Sequence, residues 1–214
     1  LVNGFKMTDP QTGHHAANLP IPLIAVSEIQ VFKSPTVLQF GQSALTGAVH
    51  IGASAQDAFE VKTTAYGGSF NSFGAQAMVR MKIKKYQQLL AVARDQSAGH
   101  WYNSDFKVTN LFYESGFDIN DRNEIRAMAG YSDRDFGANG FYTNSFPDQW
   151  ESVQTFLAAL SHTYRFDKLY FQTRGYWRRN DDEFRLKRNE PAFYTNLHTS
   201  DVFALELNGT YTSK

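Results

Sequence analysis

Cysteine is absent from the 214 residues. Disulfides and thiolate metal sites are therefore excluded, and the absence says nothing firm about compartment. Neither sign of charge is in excess: Lys plus Arg is 21 and Asp plus Glu is 21. The electrostatic footprint of a nucleic-acid binder is missing, so no nucleic-acid partner is expected, and no acidic disordered tail is present either. Long apolar runs are lacking too. No stretch approaches 18 apolar residues, so no transmembrane helix is expected. The opening Leu1-Val2-Asn3-Gly4 has neither an initiator Met nor a charged segment before an apolar one, so no signal peptide is visible. None of this bears on a β-barrel, whose alternating strands leave only a weak hydropathy trace.

What the chain does have is aromatic residues, at 15% with Phe 18, Tyr 11 and Trp 3, alongside a negative mean hydropathy. That pairing suits many half-buried strands better than a helical core.

Two parts differ in character. Residues 1–55 hold four of the six prolines and glycines at 4, 13, 41, 47 and 52. Short apolar strands are predicted at 28–32 and 48–51, joined by SPTVLQFGQSALTG, which reads as a turn of helix between loops. The part reads as a small mixed α/β element whose beginning lies before Leu1. Residues 56–214 alternate with period two and show no helical period. Strands are predicted near 58–66, 70–81, 86–95, 107–119, 123–135, 150–164, 168–180 and 198–211. In NEIRAMAGYS, Ile125, Ala127, Ala129 and Tyr131 share one face, opposite Glu124, Arg126, Met128 and Ser132. In LYFQTRGYWRR, Leu169, Phe171, Thr173, Gly175 and Trp177 oppose Gln172, Arg174, Tyr176 and Arg178. In DVFALELNGTY, Phe203, Leu205, Leu207, Gly209 and Tyr211 oppose Ala204, Glu206 and Asn208. The strand at 86–95 mixes polar and apolar residues on both faces.

Most of these strands reach ten residues or more, which matches the 9–11 needed to cross a bilayer at a tilt. Beyond the first hairpin the connections alternate between tight (KIKK, NDRN, FDK) and long (96–106, 136–149, 181–197). Outer-membrane barrels have short periplasmic turns and long external loops. Trp101, Trp150 and Trp177 would then sit near the outer interface, where aromatic girdles form. A soluble antiparallel sandwich remains the alternative on pattern alone.

The stretch VSEIQVFKSPTVLQFGQSALTGAVHI, residues 26–51, resembles the end of the plug domain of TonB-dependent outer-membrane receptors. In that family the run is IERIEVxRGPxSxxYGxxAxxGxINI. Glu28, Ile29 and Val31 hold its strand, Pro35 matches its proline, and Gly41, Ala44 and Gly47 match its small residues. Lys33-Ser34 replaces Arg-Gly, Phe40 replaces Tyr and His50 replaces Asn. LVNGFKMTDPQTGHH and GANGFYTNSFPDQWE further resemble segments of the Bacteroidetes-type, vitamin B12 receptor-like branch. The resemblance implies an all-β chain: the N-terminal part of a transmembrane antiparallel β-barrel of about eight strands, preceded by the C-terminal piece of an α/β plug. Complete receptors of this family close 22 strands around the plug, so the chain would be a fragment. Eight strands of a larger barrel leave two open edges, and unpaired edge groups are costly in a bilayer. The 214 residues alone are not expected to transport.

The implied function is import of a scarce nutrient, a corrinoid or an iron chelate, across the outer membrane of a Gram-negative cell. The implied partners are the TonB complex, reached through the missing N-terminal region, the small nutrient ligand and outer-membrane lipid, with a surface lipoprotein as a further candidate. No enzyme, cofactor or metal is expected. Competing readings are a soluble or surface-exposed β-rich ligand-binding or adhesin domain, and an outer-membrane lipase. The lipase needs a Ser–His pair, and Ser161-His162 would point to opposite faces of a strand.

DPQTGHH, residues 9–15, is the candidate site. Adjacent histidines on extended backbone diverge, and no spacing typical of strong zinc motifs accompanies them, which disfavours metal. Asp9, Gln11, Thr12, His14 and His15 are candidate ligand contacts on an outward plug apex, and a purely structural loop is the competing reading. DINDRNE lacks the central glycine of a calcium loop and reads as a turn. RRNDDEFRLKR, residues 178–188, reads as a solvated external loop. Arg126, Arg174 and Glu124 are expected to form a polar interior facing the plug.

Overall fold

The computed structural model describes residues 1–8, 18–33, 47–53 and 59–213. Ten strands are present among them. Strands β1 (Glu28–Lys33) and β2 (Gly47–Gly52) form an antiparallel pair. The other eight form one antiparallel sheet in simple sequence order. They are β3 (Phe59–Gly68), β4 (Ser72–Ile83), β5 (Tyr86–Ser97), β6 (Phe106–Asn120), β7 (Asn123–Gly137), β8 (Trp150–Phe166), β9 (Leu169–Arg185) and β10 (Thr195–Tyr211). Each predicted strand is found. Tight turns follow β4, β6 and β8, and longer loops follow β5, β7 and β9. The DINDRNE turn is closed locally, with Asn120 Oδ1 accepting from the backbone N–H groups of Arg122 and Asn123.

The outward face carries an apolar band. On β7 it runs through Ile125, Ala127, Ala129 and Tyr131, and stops at Asp133. On β9 it runs from Leu169 to Trp177 and stops at Arg179. On β10 it runs from Tyr211 to Phe203 and stops at Asp201. A tilted strand from Leu169 to Trp177 rises about 20 Å, near the ~25 Å apolar height of outer-membrane barrels. At the upper edge Trp177 stacks on Phe203, its Nε1 donates to Asp201, and Arg179 grips the same carboxylate with two hydrogen bonds. An indole with an apolar ring below and a polar tip above suits such a boundary.

The strands continue past this band, which corrects three expectations. First, β9 extends to Arg185 and β10 begins at Thr195, so much of 181–197 is strand and not loop. Second, within RRNDDEFRLKR the side chains of Arg178, Asn180 and Asp182 are buried on the inner face, and only residues after Arg185 form a loop. Third, only Trp177 lies at the band's edge. Trp150 pairs with Arg185, far above it, and is covered by the Arg185 guanidinium at 4.6 Å. Trp101 lies beyond the end of β5, in the loop that follows.

The core lies between the inner face of the sheet and the N-terminal segment. Val2, Phe5, Met7, Ile21, Ala25 and Ala53 pack on Met78, Leu89, Ala91, Phe112, Met128, Leu157, Ala159 and Tyr176. This resolves the mixed pattern of 86–95. Leu89, Ala91 and Ala93 face inward against the segment, while Leu90 and Val92 belong to the outward band. Asn3 and Gly4 make a tight turn at φ 47° and 84°, the left-handed geometry that an Asn-Gly pair accepts. The turn lets Val2 bridge both Phe5 and Ile51.

The band yields a test in the intact protein. Leu160→Arg, in mid-band, should lower unfolding stability in phospholipid vesicles by about 2–4 kcal/mol. Gln154→Arg, above the band on the same strand and face, should change it by less than about 1 kcal/mol. Equal effects would remove the assignment of the band to lipid.

Candidate functional site

Because side chains alternate along each strand, the inner wall is built in hydrogen-bonded rows, and their chemistry changes from row to row. One row is the floor on which the N-terminal segment rests: Met78, Ala91, Phe112, Gly130 and Leu157 on β4 to β8. Gly130 is required here, because a Cβ would lie 2.8 Å from the Pro20 carbonyl oxygen. The next row outward is Gln76, Ala93, Asn110, Ser132, Thr155, Asn180 and Ser200 on β4 to β10. Apart from Ala93 it consists of amides and hydroxyls, and it carries no charge. The row above it includes Asp95, Arg134, Asp182 and His198.

These rows hold the segment and face the space above it. Arg134 donates to Asn18 Oδ1 at 2.9 Å and to the Leu19 carbonyl at 3.0 Å. Gln76 Oε1 accepts from the Ile24 N–H at 3.2 Å. Thr155 Oγ1 donates to Asn180 Oδ1 at 2.7 Å. Among the described residues Asn110 Oδ1 and Asn180 Nδ2 are buried without a hydrogen-bond partner, so within them the uncharged row keeps open hydrogen-bonding capacity. A cavity of about 280 Å³ lies where Leu19, Ile21 and Val26 meet Gln76, Asn110 and Arg134.

Below the floor a second set of contacts fastens the segment. Arg174 Nη1 donates to the Gly4 carbonyl at 2.7 Å and Nη2 pairs with Glu206 at 3.3 Å. Asn3 Nδ2 donates to Glu114 Oε2 at 2.7 Å, and Arg126 bridges Glu114 to Glu124. Of the three residues expected to face the segment, Arg174 touches it directly. Arg126 and Glu124 act through Glu114, which the sequence reading did not single out. His50 on β2 has its pKa lowered, mainly by burial, with the Leu1 ammonium and Arg174 acting the same way against Glu28.

DPQTGHH lies outside the described residues, so the positions of Asp9, Gln11, Thr12, His14 and His15 are not part of this geometry. Its flanks are. Met7 is buried in the core on one side, and Asn18 and Leu19 are held by Arg134 on the other. Pro35, Gly41 and Ala44 also lie outside the described residues, as does the turn of helix expected there. Ser161 faces inward while His162 faces outward and meets Asn123 at 3.1 Å, so the two do not form a nucleophile–base pair. Among the described residues no group of three metal-ligating side chains converges. The arrangement is suited to hydrogen-bonding a polar solute.

The loops above are fastened together. Arg188 grips Asp105 with two hydrogen bonds of 2.6 and 2.8 Å, and its backbone N–H donates to the Asp148 carbonyl. Asn103 Nδ2 donates to the carbonyls of Pro147 and Gln149, and the Tyr102 hydroxyl donates to Asp148. The hydrogen bonds from Arg188 hold the Asp105 carboxyl below the usual carboxylate range. With its folded pKa depressed, Asp105 contributes stability above its ordinary value of 3.8, and that contribution is lost as pH falls through the depressed value. Pepsin should therefore spare these loops near pH 4 and cleave them as pH drops further, while Arg188→Ala should be cleaved already near pH 4. Cleavage that is the same in both proteins would show that the pair does not fasten the loops. Arg134→Ala should cost about 1–3 kcal/mol by removing the hydrogen bonds to Asn18 Oδ1 and the Leu19 carbonyl, read as faster proteolysis beside residue 18.

No protein-family model matches the sequence, and no curated protein sequence matches it. Solved structures do match. The copper transporter OprC superposes on 100% of this chain with a TM-score of 0.74 at 17% identity. The unliganded ferric citrate transporter FecA covers 96% with a TM-score of 0.72 at 14% identity. The alcaligin outer-membrane receptor FauA from Bordetella pertussis covers 86% with a TM-score of 0.63 at 14% identity. These are TonB-dependent outer-membrane receptors. The chain spans 35%, 34% and 30% of their lengths, about a third of each. The chain therefore has the fold of part of the barrel wall of TonB-dependent outer-membrane receptors.

Proposed function

We propose that the intact protein is a Gram-negative outer-membrane receptor that binds a scarce nutrient and imports it with energy from the TonB complex. In this reading residues 1–55 end a plug and residues 56–214 begin the barrel, with further strands closing it. The observation that carries the reading is the filled inner wall. A closed barrel of 22 strands would hold water, yet the floor row on β4 to β8 is apolar and covered by the N-terminal segment. The outward apolar band disfavours a soluble β domain, for which so continuous an exposed patch would be a liability.

The solute would meet the uncharged row and the charges of Asp95, Arg134 and Asp182, together with Asp9, Gln11, Thr12, His14 and His15 on the apex of the segment. We favour a corrinoid or an iron chelate. Copper, ferric citrate and alcaligin, named for the similar structures, show how broad the ligand range of this fold is. The vitamin B12 receptor-like branch, read from LVNGFKMTDPQTGHH and GANGFYTNSFPDQWE, favours the corrinoid. The TonB complex would act through an N-terminal region preceding Leu1, and a surface lipoprotein would be a further partner above the loops.

The test is direct binding and energised uptake of cobalamin and of ferric chelates by cells carrying the intact receptor. His14→Ala with His15→Ala should weaken binding about tenfold or more and slow uptake. Unchanged affinity in that variant would remove the histidines from the site. Uptake that persists without TonB would remove the transport reading.

A further inference from the structure

Trp101 is 69% exposed and stands clear of the apolar band, so neither the core nor a membrane interface accounts for it. It lines a cavity of about 580 Å³ at the bases of the loops after β5 and β7, together with Ser104, Phe136, Asn139, Phe141 and Asn144. That volume is within the range of small-molecule sites.

The lining is chemically selective. Trp101 and Phe136 supply apolar rings, Asn139 and Asn144 supply amides, and the Ser104 hydroxyl is spent on the Trp101 backbone. No charged side chain is among the lining residues. A charged chelate would gain nothing there. The cavity is also held in shape. The Trp101 backbone N–H donates to Ser104 Oγ, Asn139 Nδ2 donates to the Tyr102 carbonyl at 2.8 Å, and Asn103 ties the two loops together. These bonds leave Asn139 Oδ1 and the whole Asn144 amide facing no partner among the described residues, one as acceptor and the other as donor and acceptor. Flat apolar faces rimmed by neutral donors and acceptors match a pyranose ring, which has an apolar C–H face and a hydroxyl edge.

We propose that this cavity binds a neutral saccharide, stacked on Trp101 and hydrogen-bonded by Asn139 and Asn144. The site is separate from the inner-wall rows assigned to the transported solute. The same chemistry is offered by a free oligosaccharide and by the sugar headgroup of an outer-leaflet glycolipid, so both sources enter the test.

The experiment is isothermal titration of the purified intact receptor with maltotriose, cellotriose and chitotriose, and with the deacylated core oligosaccharide of the cell's own glycolipid. The expected result is saturable binding of at least one probe, unchanged between low and high salt. Trp101→Ala and Asn144→Ala should each weaken it about tenfold or more, Trp101→Phe should retain most of it, and binding of the transported nutrient should stay unchanged. Binding confined to the core oligosaccharide would identify the headgroup as the source, and binding of the other probes a free sugar. No saturation by any probe at roughly 10 mM would overturn the proposal. So would binding that survives Trp101→Ala, binding abolished by salt, or capture of a protein partner in place of a sugar.

Discussion

The contact between the apolar floor and the N-terminal segment is the constraint on which the other features depend. Tyr176 meets Phe5 edge to face at 5.9 Å, and Gly130 admits the backbone at Pro20. Met78, Phe112 and Leu157 are buried only because Ile21, Ala25 and their neighbours cover them. Each such side chain contributes roughly 1.5–3 kcal/mol when removed from water. Without the segment this face of the wall would be an apolar stripe inside a polar lumen.

The polar contacts sort around that seam. Below it, Arg174 and Glu114 hold the Asn3-Gly4 turn. Above it, Arg134 holds Asn18 and Leu19. Between the seam and the row of Arg134 the wall carries amides and hydroxyls, and the loops above are clamped by Arg188 and Asp105. A solute arriving from above would thus meet hydrogen-bonding groups first and the sealed seam next.

Much of this was legible from alternation. NEIRAMAGYS and LYFQTRGYW show their faces because one side is apolar and the other polar, and the structure assigns those sides as the sequence does. Legibility failed where that contrast disappears. Tyr86–Ser97 has two apolar faces, one for the band and one for the seam. Arg178–Arg185 has two polar faces, since it rises above the band while still lining the interior, and so it resembled a loop. The tryptophans misled for a related reason. Strands longer than the band carry Trp150 far above the boundary that Trp177 marks. Glu114 and Asn110 gave no signal, because a lone carboxylate or amide on an inward position acquires meaning only from what packs against it.

The most direct measurement is the size and location of the native polypeptide, found with an antibody against this chain in fractionated cells. A receptor predicts an outer-membrane band several times 24.3 kDa whose mobility shifts on heating, as a folded barrel's does. A soluble band near 24.3 kDa would contradict it.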